Sequence, residues 1–277
     1  MHGARVRRAI TRWGLFLTLT IGSALVLAPI TFMVSASFQP LPEILRIPPA
    51  LIPRAPSLQN YYQVFQAAPF LQYFYNSLRA ALVTVVSVLL TSALAGYAFA
   101  KFRFPGRDLL FLLILSQLMI PFQLRMVTLF ELVFRWRLID TFPGLVLPGL
   151  VDAFGIFLMR QFIRTIPDEL IDAARIDGAS ELRIFASIIL PLLKPALAAL
   201  AILTFMWNWE AFLWPLVVAS SDAVLTLPVG LAKFGEQYLI RYDLQLAAAT
   251  LITLPVLLAF LATQRYIVQG ITLTGFR

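Results

Sequence analysis

The sequence predicts an all-α membrane protein with six transmembrane helices, and composition, hydropathy and the spacing of apolar runs all lead there. Hydrophobic residues make up 60% of the 277 and charged residues only 13%, about half the charged share usual in soluble domains. So few charges cannot clothe a water-exposed surface. Mean hydropathy is +0.84 and there are 23 Phe; lipid solvates side chains that water would expel. Apolar runs of roughly 20 residues, the length a helix needs to cross a bilayer, recur at about 13–36, 76–100, 108–130, 142–163, 195–219 and 244–268. Each must be helical, because backbone groups in hydrocarbon can be satisfied only within the segment.

The first run, Trp13 to Ala36, has a secretory signal peptide as its rival reading, with Ser35-Ala36-Ser37 as a cleavage site. It is longer than the ~7–15 residues of a signal core, and five more runs follow it, so it is expected to stay. The external stretch Ser37 to Tyr75 holds Pro40, Pro42, Pro48, Pro49, Pro53 and Pro56, which suits an irregular connection followed by short surface helices. Leu129 to Thr141 mixes Phe, Trp and Arg in a pattern fit for an interfacial helix. Pro121 and Pro255 fall inside apolar runs, where a missing amide and a ring clash can kink the helix. Basic residues cluster on one side of this layout, at Arg5, Arg7, Arg8 and Arg12, at Lys101, Arg103 and Arg107, from Arg160 to Lys194, and at Arg265 and Arg277. Loops rich in Lys and Arg stay in the cytoplasm, so both termini are expected there, with residues 1–277 forming a single transmembrane domain.

Several function classes are excluded or disfavoured. With no cysteine there is no disulfide, thiolate metal site or cysteine nucleophile. A net charge of +8 could suggest nucleic acid, yet the basic residues are scattered between apolar runs, so membrane orientation explains them and no nucleic-acid partner is expected. His2, the only histidine, lies in the N-terminal tail. No metal cluster and no set of nucleophile, base and orienter can be assembled, so the chain is expected to be non-catalytic and to bind no cofactor or metal.

The most informative stretch is the loop 165–191, whose punctuation spells two short helices. Pro167 suits a first helical turn, and Asp168 and Glu169 complement its positive end. Gly178 can end that helix in a left-handed conformation, and Ser180 can cap the next, which runs to about Leu190. Ala173 and Ala174 give the first helix a small-residue patch that another backbone could approach, with Asp172, Arg175 and Asp177 as polar contacts around it. The plainer reading is an amphipathic helix lying on lipid headgroups.

Two acids fall inside apolar runs, where a charge costs on the order of 2.5–3.5 kcal/mol and needs a partner or a wet cavity. Asp152 lies near the middle of the fourth run. Glu210 lies in Trp207-Asn208-Trp209-Glu210-Ala-Phe-Leu-Trp214-Pro215 of the fifth, roughly 22 Å above Pro195 at 1.5 Å per residue. Asn208, Glu210 and the tryptophans could line a path, since aromatic faces stack on sugar rings and carboxylates accept hydroxyl hydrogen bonds. Alternatively the tryptophans form an interfacial belt and Glu210 bonds to a neighbouring helix.

The spacing Asp172-Ala-Ala, three residues, Gly178, nine residues, Ile188-Ile-Leu-Pro191 resembles the EAA loop of binding-protein-dependent ABC importer permeases. The run Ala173-Ala-Arg-Ile-Asp-Gly-Ala179 is similar to their carbohydrate branch, in particular the smaller permease subunit of maltose-type importers. Asn76-Ser-Leu, Ala95 to Arg107, Phe154 to Phe162 and Arg265 to Gly270 extend the resemblance along nearly the whole chain after the first run. Asp172 replaces the Glu for which the loop is named and keeps the carboxylate. Trp209-Glu-Ala-Phe212 stands where the family usually shows Trp-Asn-Glu-Phe, and Thr128 where a second proline often follows the equivalent of Pro121.

The resemblance implies a type I importer fold in a bacterial or archaeal cytoplasmic membrane, with 165–191 as a coupling helix seated in a cytoplasmic ATPase. It also implies a second homologous permease, two ATPase subunits, an external solute-binding protein, and a mono- to oligosaccharide as cargo. ATP and Mg would sit on the ATPases: this chain has no phosphate loop, and none of Lys101, Lys194 and Lys233 follows a glycine. Glycerol phosphate is an alternative cargo, although only Arg79 and Arg125 lie near spans. An ion-coupled secondary transporter using Asp152 and Glu210 is the alternative from another class, and it leaves the EAA loop unexplained.

Overall fold

The computed structural model describes residues 2–238 and 240–274. The side chains of His2, Arg5, Arg7, Arg8 and Arg265 lie outside the described residues, as does Arg277 altogether. The helices are α1 (His2–Ala36), α2 (Leu41–Ile44), α3 (Gln59–Ala67), α4 (Phe70–Lys101), α5 (Arg107–Ser116), α6 (Phe122–Arg135), α7 (Phe142–Val146), α8 (Ala153–Arg164), α9 (Asp168–Ile176), α10 (Glu181–Ile184), α11 (Leu190–Leu192), α12 (Lys194–Trp209), α13 (Leu213–Val218), α14 (Leu227–Gln237) and α15 (Tyr242–Thr274). A π-turn, Phe185–Ile189, joins α10 to α11. No strand occurs among the described residues.

Two unbroken helices have the length and hydropathy to cross a membrane, Arg12–Ala36 of α1 and the whole of α4. Three bent pairs pass only when joined: α5 with α6 across 104°, α7 with α8 across 42°, and α10–α11 with α12 across 76°. The 104° break falls at Pro121, which has no amide to continue the ladder. The run 195–219 is likewise divided, since α12 ends at Trp209 and α13 begins at Leu213. Pro215 accounts for that break, because its ring would clash with the carbonyl four residues back in a continuous helix. Pro255, by contrast, sits inside the uninterrupted α15.

The chain packs as two compact units. The first comprises residues 1–69 and 231–253. Its proline-rich segment is held by side chains acting on backbone: Asn60 donates to the carbonyls of Ser37 (2.9 Å) and Gln39 (2.8 Å), and Gln39 to that of Ala50 (3.0 Å). Glu43 accepts from the Arg54 amide at 3.0 Å. Arg241 forks onto both oxygens of Asp243 and reaches Gln63 at 2.8 Å. Such bonds supply partners that an irregular segment cannot find in a ladder.

The second unit comprises residues 70–230 and 254–277, and its centre is the packing of α4 against α8 and α12. Val88, Met159, Ile163, Leu193 and Leu200 are almost wholly buried there. The helices approach through small residues. A Cβ on Gly96 would lie 2.7 Å from the Met159 Cβ and 2.9 Å from the Arg160 amide nitrogen, and one on Gly155 would run into Ser92. Small-to-small seams are how helices pack in lipid, where no hydrophobic drive draws them together. At its other end α4 is tied to the start of α14 and the segment before it: Tyr73 donates to Asp222 (2.6 Å), Asn76 to the Leu225 carbonyl (2.9 Å), and Ser77 accepts from the Leu227 amide (2.8 Å).

The seam makes a direct prediction. Gly96→Val must drive α4 off the α8 backbone, a displacement no rotamer relieves, and should destabilise the unit by about 1–3 kcal/mol or more. A lowered midpoint of thermal unfolding in detergent is the expected readout, with Gly14→Val on exposed α1 as the neutral control.

Candidate functional site

Two places in the second unit gather chemistry: the turn between α9 and α10, and a cavity among α4, α6, α8 and α12. Helix α9 carries Asp168 and Glu169 in its first turn, where negative charge complements the helix dipole. It ends in a Schellman motif, with the Gly178 amide bonded to the Arg175 carbonyl (3.0 Å) and the Ala179 amide to that of Ala174 (2.9 Å). Gly178 has φ 78°, and a Cβ there would meet nothing within 4 Å. Glycine is therefore required by backbone torsion, not by crowding. Ser180 caps α10 by accepting from the Arg183 amide.

Of the residues expected to dock a partner, Asp172, Ala173, Arg175, Asp177, Gly178 and Pro191 are exposed and Ala174 is half-buried. Ile171 points the other way, into the core cluster that holds Ile184, Phe185 and Ile189. Leu170, Ile176 and Leu182 leave apolar surface open around the turn. Polar ties then fix the turn. Lys101 reaches Asp168 and the Ile166 carbonyl, both at 2.5 Å. Arg175 binds Asp172 (3.1 Å) and Glu181 (2.7 Å), and Glu181 in turn accepts from the Tyr97 hydroxyl (2.8 Å). The hydrogen bond from Arg175 holds the Glu181 carboxyl below its ordinary range, and that from Lys101 does the same for Asp168.

The cavity measures about 910 Å³ and is lined by five of the six residues expected to form a path: Asp152, Trp207, Asn208, Glu210 and Trp214. Trp209 is not among them; it is buried, with its ring stacked on Phe205 at 5.6 Å and edge-on to Phe74 at 5.5 Å. Asp152 is the N-cap of α8, accepting from the Gly155 amide at 2.8 Å. Its place inside an apolar run thus reflects a helix break as well as a polar lining. Glu210 is the exposed C-cap of α12. Trp214 is oriented by its indole N–H, which donates to the carbonyls of Gly144 and Leu145, and Trp207 lies edge-on to Phe154 at 5.7 Å.

Arg125, Thr204 and Thr226 also line this cavity, and none was marked out from sequence as a site residue. Each carries a buried polar atom without a hydrogen-bond partner among the described residues: Arg125 Nε, Thr204 Oγ1 and Thr226 Oγ1. Buried polar groups are normally satisfied, so this wall presents unused hydrogen-bonding capacity. A lone threonine, whether in an apolar run (Thr204) or in the connection after one (Thr226), gives no sequence signal. Arg79, the other arginine near a span, lies over the Phe142 ring at 3.7 Å.

Residues 88–273 match the family described as the binding-protein-dependent transport system inner membrane component. The chain belongs to that family. It is 41% identical to the arabinooligosaccharides transport system permease protein AraQ of Halalkalibacterium halodurans, over 94% of this chain and 95% of that protein. AraQ of Bacillus subtilis is 36% identical over 97% of each chain. The sn-glycerol-3-phosphate transport system permease protein UgpE of Yersinia enterocolitica is 34% identical over 91% of this chain and 93% of its own. Among solved structures, a chain of a bacterial ABC transporter involved in import of the acidic polysaccharide alginate superposes with a TM-score of 0.84 at 24% identity, covering 93% of this chain and 96% of that one. The fold is therefore that of a type I ABC permease, and the chain is a transport component of the inner membrane.

Two predictions attach to the permease's turn. Gly178→Val puts a β-branched residue at left-handed φ, costing about 1–2 kcal/mol, so amides of 168–184 should exchange roughly 5–30-fold faster with solvent; Gly178→Ala should do less. The depressed Glu181 carboxyl stabilises the turn fully above its unfolded pKa near ~4.3 and loses that contribution as pH falls through its lower folded value. A spin label at position 176 should accordingly report constant mobility from about pH 8 to about pH 5 and a rise below about pH 4.

Proposed function

We propose that this permease is one transmembrane half of an ATP-driven importer that passes a mono- to oligosaccharide by alternating access. The observation that carries the reading is the exposed α9 helix, rigidly presented at Gly178 with Ala173 and Asp172 outward, a surface shaped to seat in a cytoplasmic ATPase. In this reading 1–277 acts as one transmembrane domain with six crossings: α1, α4, α5 with α6, α7 with α8, α12 with α13, and α15. Both termini are cytoplasmic, placing the basic clusters inside.

A second homologous permease completes the path, two ATPases holding ATP and Mg supply the energy, and an external solute-binding protein delivers cargo. Closure of the ATPases moves α9 and opens the cavity outward; hydrolysis resets it. Support for a sugar comes from the oligosaccharide permeases among the relatives and from Trp207, Asn208, Glu210 and Trp214 in one cavity of about 910 Å³, within the size range of ligand pockets. Glycerol phosphate is the second reading, favoured by the relative UgpE and by the unpartnered Arg125 Nε. The membrane is the bacterial, or archaeal, cytoplasmic membrane.

The chain has no cysteine, so Ala173→Cys creates a unique thiol. Expected is a cross-link from that thiol to the ATPase subunit, and sugar uptake by the reconstituted complex that requires ATP. Uptake by the single chain driven by an ion gradient, with no ATPase captured, would overturn the reading in favour of a secondary transporter.

A further inference from the structure

We infer that Tyr97 and Lys101 form a two-point clamp that locks the α9–α10 turn to α4, so that the turn and α4 move as one lever. The inference rests on the reading of α9 as the ATPase-docking helix and assigns positioning residues to it. Tyr97 and Lys101 are four apart on α4, hence one turn apart on a single face. Each grips a different end of the docking turn: Lys101 holds Asp168, the first residue of α9, and Tyr97 holds Glu181, the first residue of α10. Between those ends Arg175 bridges back to Glu181, so the second grip reaches α9 as well.

One attachment would leave the turn free to pivot about it; two, spaced along the α4 axis, oppose rotation. Apolar packing closes the clamp. Tyr97 is buried with its ring 5.3 Å from Phe102 and 5.6 Å from Phe185, in the same cluster as Ile171 of α9 and Ile184 of α10. The α4 end of the lever is equally fixed, since Arg160 of α8 donates to the Phe99 carbonyl and Gly96 abuts Met159. Displacement of α9 by a docked ATPase therefore has no soft joint in which to dissipate before it reaches α4, and α4 supplies Thr84 and Val88 to the cavity wall. Packed elements with two discrete arrangements carry coupling of this sort.

The variants that test this leave no buried charge behind. Tyr97→Phe removes one hydroxyl while Glu181 keeps Arg175, and Lys101→Met frees Asp168, which is already 76% exposed. The permease is reconstituted in vesicles with its partner permease, ATPases and binding protein, and substrate moved per ATP hydrolysed is measured for each single variant and for the pair. Expected are normal ATPase association, persistent hydrolysis, and a transport-to-hydrolysis ratio that falls about fivefold or more in the double variant, with smaller losses in the singles. A purely structural role for these contacts would lower the yield of assembled complex and leave that ratio unchanged. A double variant with the wild-type ratio overturns the clamp, and so does a loss of transport that merely tracks loss of ATPase association. Failure of the Ala173→Cys cross-link in a chain with Tyr97 and Lys101 intact refutes the docking reading itself and takes the clamp with it, which separates the two failures.

Discussion

The architecture of the second unit depends on one constraint: α4 and α8 approach so closely at Gly96 that a methyl group would collide with backbone. Lipid gives such helices no hydrophobic reason to associate, so contact must come from surfaces that fit. Ser92, Gly96 and Gly155 make that fit. Every element that bears on function hangs from it, because the C-terminal turn of α4 carries the grips on the docking turn and its middle carries part of the cavity wall.

Local chemistry was readable in the sequence wherever a residue acts on its own neighbours. Gly178 takes the left-handed torsion expected of it at the end of α9, and Ser180 caps α10. Pro121 breaks the third apolar run, more sharply than a kink, at 104°. Each effect is encoded within about four residues. What the sequence concealed is long-range or ambiguous: the Tyr97–Glu181 bond spans 84 positions and Lys101–Asp168 spans 67. Nothing in either local pattern announces a partner, since Tyr and Lys at a helix end look like interfacial residues.

The cavity shows the same division. An acid in an apolar run advertises itself, so Asp152 and Glu210 were visible, yet the same logic hid why Asp152 is affordable: it satisfies an amide at a helix start. Trp209 shared its neighbours' aromatic character and turned inward, because residues two apart on a helix point to different sides. Threonines pass unnoticed in apolar runs because their hydroxyls can bond to their own helix. Thr204, in the fifth run, and Thr226, in the connection after it, keep hydroxyls with no hydrogen-bond partner among the described residues, and only packing reveals it.

The turn at Gly178 also fixes a quantity that no side chain controls, the number of residues separating α9 from α10. The closing bonds run from the Gly178 amide to the Arg175 carbonyl and from the Ala179 amide to the Ala174 carbonyl, so inserting or deleting one residue between Ile176 and Ser180 would break that register and release the angle at which α9 meets α10, even with all surrounding amino acids retained. Length, more than composition, is therefore what this turn's geometry holds fixed, and the outward face of α9 can be repainted without reshaping the loop that presents it.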